Sequence, residues 1–336
     1  MEYITREMKN FELFKPHSLL FAPLEGVTEE AYRLCVMRLF PEWDRFFTDF
    51  LRVPAQGKVT EKFVIEHLGP EVYANEKWRR KTSFQILTSP NARTQEVVEI
   101  LNDLDIDHLD LNLGCPSNTV NSHQGGAYLL AKPTEMKQIV SLIRTHFKKT
   151  FTVKMRIGYR DDALFIDNIK MLQDLGVEAI TLHARTKEQL YKGIADWNYI
   201  KKAVETLHIP VIGNGDIWSI DDIDRIFLET NCYGVMCGRS AMKTPWLATL
   251  RNEAQKNNRD FDETYLLYER KKYIEIYFLE LLKEFRRRGW SDQSILKRFK
   301  SFSRYLFDDF ENGETLRGQF LRSESLNHFL DSAYSL

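Results

Sequence analysis

Eight short runs rich in apolar and β-branched residues recur along the chain: LLFAPL near Leu19, FFTDFLRV from Phe46, SFQIL from Ser83, HLDLNL from His108, FTVKMRI from Phe151, AITLHA from Ala179, IPVIGNG from Ile209 and YGVMCG from Tyr233. Each has the length of a buried strand. Between most of them the apolar positions repeat every three to four residues, at 95–104, 135–147, 163–175 and 220–229, with Thr134, Asp161 and Ser219 placed to cap helices. Strand and helix alternating eight times over ~250 residues predict an α/β fold, a (β/α)8 TIM barrel. A doubly wound sheet would carry a G-x-G-x-x-G fingerprint after its first strand, and LEGVTEEAYR lacks it.

The pattern changes beyond the eighth run. Residues 251–262 are polar and strand-free and read as a linker, after which 265–288, 294–310 and 316–330 read as amphipathic helices with no strand between them. The expected organisation is a catalytic barrel over 1–250, a linker over 251–262 and a small helical domain over 263–336.

Composition narrows the class. With 43% apolar and 12% aromatic residues in 336, the chain is expected to fold rather than stay disordered. No apolar run reaches the ~20 residues of a membrane span, and Met1 to Pro16 lacks the apolar core of a signal peptide, so a cytoplasmic setting is expected. Four cysteines, none at zinc-ligand spacing, predict neither a disulfide framework nor a metal site. A net charge of −1 excludes a globally basic nucleic-acid binder. Locally the balance differs: between Arg270 and Arg304 there are 11 Lys or Arg against 4 acids, with Trp290, Phe299, Phe302 and Tyr305 interleaved. That segment is either a solvated face with internal pairing or a surface for a polyanion, and the size of the surplus favours the second.

In a barrel the chemistry lies at the carboxyl ends of the strands. Those ends carry Pro23-Leu24-Glu25, Arg52, Gln85, Asn112 through Cys115, Lys154 with Arg156, His183 with Arg185, Asn214-Gly215-Asp216 and Gly238-Arg239. One polar side chain facing a packed interior can be a satisfied structural group, but a ring of them argues for a polar ligand. GNGD and CGRS place glycines beside an Arg just before helical segments, which suits a phosphate, although GNG alone could mark only a tight turn. Cys115, flanked by Gly114 and Pro116 in a rim loop, is expected to be an exposed, usable thiol, whereas Cys35, Cys232 and Cys237 read as small buried hydrophobes.

Six separated motifs, APLEGVT, DLNLGCPSNTVNSHQGGAYLL, VKMRIG, HARTKEQLYKGIADW, GNGDI and GRSAM, resemble in order and spacing the tRNA-dihydrouridine synthases, flavin enzymes that reduce uridine in the tRNA D-loop. The resemblance runs from about Leu19 to about Arg251, and FTDFLRV, CPSNTVN and RFKSFSRYL are most similar to the bacterial C-type branch, which modifies position 16. Leu24 stands where that family usually has Met, and HAR replaces HGR; both are small packing changes.

The resemblance implies bound FMN, with NADPH or NADH as transient reductant and tRNA as substrate. Pro23, Leu24 and Glu25 would lie along the flavin, Gln85 and Lys154 at its pyrimidine edge, and His183, Asn214, Gly215, Asp216, Gly238 and Arg239 around ribityl and phosphate. Cys115 would deliver a proton to uracil C5, and for that it must be a thiol rather than a thiolate. Asn112 and Arg156 would hold the flipped-out uracil, and Arg52, Arg298 and Lys300 the tRNA backbone. Two other readings stay open: an FMN-dependent barrel oxidoreductase acting on a free pyrimidine or other small molecule, and an RNA-binding module on an inactive barrel.

Overall fold

All eight runs form strands in the computed structural model, which describes residues 11–257, 261 and 263–336. Most of the N-terminal segment read above, and positions 258–260 and 262 of the expected linker, lie outside the described residues. The strands are β1 (Ser18–Phe21), β2 (Arg45–Phe47), β3 (Leu51–Arg52), β4 (Thr82–Leu87), β5 (His108–Leu113), β6 (Thr150–Gly158), β7 (Ala179–Thr186), β8 (Val211–Asn214) and β9 (Gly234–Cys237). Every pairing is parallel, β2 joins β1 to β4, and β9 returns to β1, so eight strands close a ring. The run from Phe46 divides: β2 enters the ring, and the short β3 pairs with β4 alone.

Helices separate the strands, as in a TIM barrel. Ser219 caps the helix Ile220–Thr230 with a complete capping box to Asp222. Thr134 and Asp161 do not cap. Pro133 takes the first position of the helix Pro133–His146, where its fixed φ and missing N–H cost nothing, and the Asp161 carboxylate instead accepts from Ala163 N–H in a local turn.

The strand sequences alternate, and the two faces differ sharply. In β5, Leu109, Leu111 and Leu113 share one face while His108, Asp110 and Asn112 share the other; in β6, Phe151, Val153 and Met155 oppose Thr152, Lys154 and Arg156. Leu20 of β1, Phe47 of β2, Ile212 of β8 and Met236 of β9 form one buried cluster although β2 and β8 are not neighbours in the sheet, so these side chains meet inside the ring. The interior is therefore apolar on one side and polar along β4 to β7.

The chain divides into two compact units, one of 1–30 with 44–237 and one of 31–43 with 238–336. The first holds the whole barrel ring. In the second, the helix Leu247–Asn257 extends into the expected linker, since Arg251, Glu253, Ala254, Gln255 and Lys256 are good helix formers. The helices Glu263–Arg287 and Asp292–Leu306 match expectation, but the third predicted helix is two, Gly313–Arg322 and Leu326–Tyr334, the latter capped by Ser325. Phe278, Phe299 and Phe329 pack together in the core of this unit with ring centroids 4.9 to 5.4 Å apart, Phe278 and Phe329 edge to face and Phe299 tilted against both. Among the described residues, no helix is long and apolar enough to cross a membrane.

Candidate active site

Register places the polar face of the barrel in rows. Gln85 lies opposite Asp110, Asp110 opposite Thr152, Asn112 opposite Lys154, and His183 between Arg156 and Asn214. Gln85 is fully buried; its Nε2 donates to Asp110 Oδ2 (2.6 Å) and its Oε1 accepts from Asn112 Nδ2 (2.8 Å). Asn112 Oδ1 in turn accepts the backbone N–H groups of Gly114 and Cys115, both at 2.9 Å, folding the chain sharply after β5. Burial pushes the Asp110 carboxyl up to about 6, against the hydrogen bonds of Thr152 and Gln85 and the nearby Lys154 charge. Asp110 is a site residue that sequence reading missed; its signal was the period of two in HLDLNL, which puts it on the same face as Asn112.

Cys115 is buried, not exposed as expected: 8% of its surface is accessible, and it packs with Leu87, Val120 and Phe50. The Gly125-Gly126 pair lets the loop fold back onto it. Gly126 has φ +60°, and a Cβ there would lie 2.9 Å from Val120 Cγ1 and 3.1 Å from the Cys115 carbonyl oxygen. Asn121 Nδ2 also reaches the Cys115 carbonyl (3.3 Å) and that of Ser117 (2.6 Å). Burial pushes the thiol up, assisted by Glu25, while a hydrogen bond from Ser117 N–H and the charges of Arg52 and Arg156 oppose it. The balance keeps the proton on sulfur at neutral pH.

Arg156 is tied to its own chain. Only 2% exposed, its guanidinium donates to the carbonyls of Gly114, Thr186 and Leu190, each at 2.9 Å, and so ties the Cys115 loop to the segment after β7. Lys154 Nζ donates to Asn214 Oδ1 at 3.2 Å, and Asn214 Nδ2 is held by the Met236 carbonyl. Burial and then the Arg156 charge push the Lys154 ammonium down to about 8, against the attraction of Asp110 and Cys115.

Beyond Asn214 the chain turns through Gly215, at φ +114°, where a Cβ would meet Ala195 Cβ and His183 Cδ2 at 2.9 Å. The Asp216 carboxylate is engaged within its own chain. Its Oδ2 accepts from Arg185 Nη2 and from Ala195 N–H, and Arg185, 1% exposed, also holds the Gly193 carbonyl and lies 3.4 Å from His183 Nε2. Arg185, seen in sequence only as a strand-end residue, thus braces the loop after β7.

At the rim, Pro23 and Leu24 are half-buried and Glu25 is exposed, in a turn closed by Leu24 N–H donating to Thr28 Oγ1 (3.0 Å). Arg52, the last residue of β3, is exposed.

In the second unit, Gly238 precedes the short helix Arg239–Lys243, and Ser240 Oγ beside Arg239 is buried without a hydrogen-bond partner among the described residues. Arg298 and Lys300 are half-buried on Asp292–Leu306, with Arg298 5.5 Å from the Phe302 ring centroid. The basic surplus is partly internal. Arg270 is paired to Asp309, and the buried Glu284 carboxylate binds Arg38, Arg287 and Arg288. Burial would raise Glu284, but the hydrogen bonds of Arg287, Arg288 and Arg38 more than offset it and hold the carboxyl at about 2. Phe299 and Phe302, expected to interleave with the basic surface, are fully buried core, because they follow the apolar face of their helix.

Comparison with known proteins agrees with this geometry. A family model described as dihydrouridine synthase matches residues 20–332. The chain is 34% identical over 235 residues to a tRNA-dihydrouridine(16) synthase of Shewanella oneidensis, covering 68% of this chain and 73% of the relative. It is 33% identical over 234 residues to the protein of that name from Cupriavidus necator, covering 68% and 72%. Among solved structures, histamine dehydrogenase from Rhizobium sp. 4-9 superposes with a TM-score of 0.53 at 15% identity, over 71% of this chain and 47% of that one, a likeness of fold alone. With a match from the first strand into the last helix, the chain belongs to the dihydrouridine synthase family.

Proposed function

We propose that this protein is a tRNA-dihydrouridine synthase that reduces the C5=C6 bond of uridine 16 in the D-loop, with FMN as bound cofactor and NADPH or NADH as reductant. The observation that carries the reading is a cysteine kept as a thiol in a braced rim loop just beyond β5, whose Asn112 pairs in register with the half-buried Lys154 of β6. Relatives named for that reaction and that position, at about one third identity, support it.

The residues fit a flavin. Among the described residues Lys154 has Asn214 Oδ1 as its hydrogen-bond partner, which leaves ammonium protons for an electron-rich acceptor. Gly215 lets the turn after β8 pass close to Ala195 and His183, where a Cβ would clash. Pro23, Leu24 and Glu25 would border the ring, Gln85 and Lys154 its pyrimidine edge, and His183, Asn214 and the Gly215-Asp216 backbone the ribityl chain; Gly238 and Arg239 are assigned to the phosphate on the GRSAM motif. A cation at that edge favours the negative charge of the reduced ring.

When bound, FMN would supply a hydride equivalent for uracil C6. Cys115 Sγ–H gives its proton to C5, so that one hydrogen adds to each carbon, and the thiolate regains a proton from solvent. Asn112 and Arg156 shape the uracil pocket by fixing the Cys115 loop. Exposed Arg52 and the half-buried Arg298 and Lys300 are proposed to contact tRNA phosphates. A tRNA substrate implies work in the cytoplasm.

The test uses the full chain purified with its flavin. With NADPH it should form dihydrouridine at position 16 of unmodified tRNA and leave free uridine untouched. Reduction of free uridine at a comparable rate would favour the small-molecule oxidoreductase, and a colourless protein that binds tRNA without reducing it would favour the inactive-barrel reading.

A further inference from the structure

We propose that Asp110 is a positioning residue for Cys115: its carboxylate anchors the far end of a hydrogen-bonded chain that runs through Gln85 and Asn112 to the backbone of the Cys115 loop. Cys115 as proton donor belongs to the reading above; the pinning of its loop rests on geometry alone.

A primary amide fits a slot either way round, so something at its ends must choose. At one end of this chain stand the N–H groups of Gly114 and Cys115, which can only donate, and both take Asn112 Oδ1. Asn112 must then present Nδ2 to Gln85, whose Oε1 accepts it and whose Nε2 is turned to Asp110. Only an acceptor can stand at that last position, and a carboxylate has nothing else to offer. Asp110, Gln85, Asn112 and Cys115 are each at least nine-tenths buried, so water does not replace a partner lost among them.

A second arm leaves Asp110 on its other side. Thr152 Oγ1 donates to Asp110 Oδ1 (2.6 Å), His108 Nε2 lies 2.8 Å from Thr152 Oγ1, Ser83 Oγ lies 2.6 Å from His108 Nδ1, and Arg45 Nε donates to Ser83 Oγ (2.7 Å). Burial, and then the Arg45 charge, lowers the pKa of His108, so the ring carries one ring proton. With a carboxylate at one end, Thr152 must donate to it, His108 must donate from Nε2, and Ser83 must donate to Nδ1. Arg45, a pure donor, closes the far end. The two arms therefore make different demands: the Cys115 arm is fixed by backbone and cannot reverse, whereas the His108 arm can reverse by moving one ring proton.

This asymmetry defines the experiment. Asp110→Leu, which matches Asp in the number and branching of its side-chain heavy atoms, removes the acceptor, and Asp110→Asn keeps one oxygen and adds one donor. Alkylation of Cys115 by iodoacetamide at fixed pH, quantified by peptide mapping, reads the loop. Long-range 15N–1H spectra of histidine-labelled protein read the His108 tautomer. The loss of one buried hydrogen bond in Asp110→Leu should speed alkylation of Cys115 about tenfold. Asp110→Asn should restore the slow rate, because its oxygen serves Gln85, while its amide N–H now faces Thr152 and moves the His108 proton from Nε2 to Nδ1. Unchanged alkylation in Asp110→Leu, or an Nδ1–H tautomer in the wild type, would overturn the proposal. If Asp110→Leu fails to fold, the tautomer in wild type and Asp110→Asn decides it: a proton that stays on Nε2 in the Asn variant sinks the directed chain. Neither readout needs tRNA, so a protein that proved inactive on tRNA would leave this result standing.

Discussion

Lys154 shows how far a single residue's surroundings reach into function. Its ammonium is destabilised by burial and by Arg156, so the folded protein releases the proton near pH 8, whereas an unfolded lysine holds it to about 10.5. Folding therefore disfavours the charged form: below pH 8 the cation is kept at a cost, and between the two values stability rises with pH as that cost disappears. If this cation meets the electron-rich edge of FMN, apoprotein affinity for FMN should fall on going from about pH 7 to pH 9, by about tenfold per pH unit once the free lysine titrates. Titrations of apoprotein followed by flavin fluorescence check this, with Lys154→Met expected to bind more weakly and to flatten the pH dependence. An equally steep fall in Lys154→Met would remove Lys154 from the flavin edge.

At the scale of elements, β5 and the loop after it are built as one device. The alternation in HLDLNL sends three leucines to one side and His108, Asp110 and Asn112 to the other, and the loop is then closed by Asn112, Asn121 and Gly126. Gly126→Ala should cost about 1–2 kcal/mol for its left-handed backbone alone, with more for the crowding against Val120 and Cys115, and thermal unfolding measures it. A melting temperature equal to wild type would mean the loop has slack that its contacts do not suggest. The period of two was readable in the sequence, and so was a polar ring at the strand ends. Which polar groups meet was not. Gln85 and Asp110 are 25 residues apart, and only the parallel register of β4 and β5 sets them opposite one another. For the same reason the bonds of Arg156 to three carbonyls of its own chain were not legible: a charged side chain at a strand end looks the same in sequence whatever it touches.

For the whole molecule, eight strands in order and a helical tail were legible because strand length, helical period and turn residues agree with one another. The division into units was less so, since residues 31–43 belong with the tail unit although they lie early in the chain, and no local pattern announces a long-range association. Charge was similarly opaque. A surplus of seven over 270–304 is read from composition, yet Glu284 and Asp309 absorb Arg270, Arg287 and Arg288 through contacts that no sequence window reveals. The account of function rests on the barrel and on one thiol in it, so the most direct test separates the two halves of the reaction. Wild-type and Cys115→Ala protein, each with its flavin, are reduced by NADPH without oxygen and mixed with unmodified tRNA, and flavin reoxidation is followed in a single turnover. Reduction by NADPH should be alike in both, while reoxidation by tRNA should be about 100- to 10,000-fold slower in Cys115→Ala, as for loss of a positioned general acid. Reoxidation of the Ala variant at the wild-type rate would contradict the account.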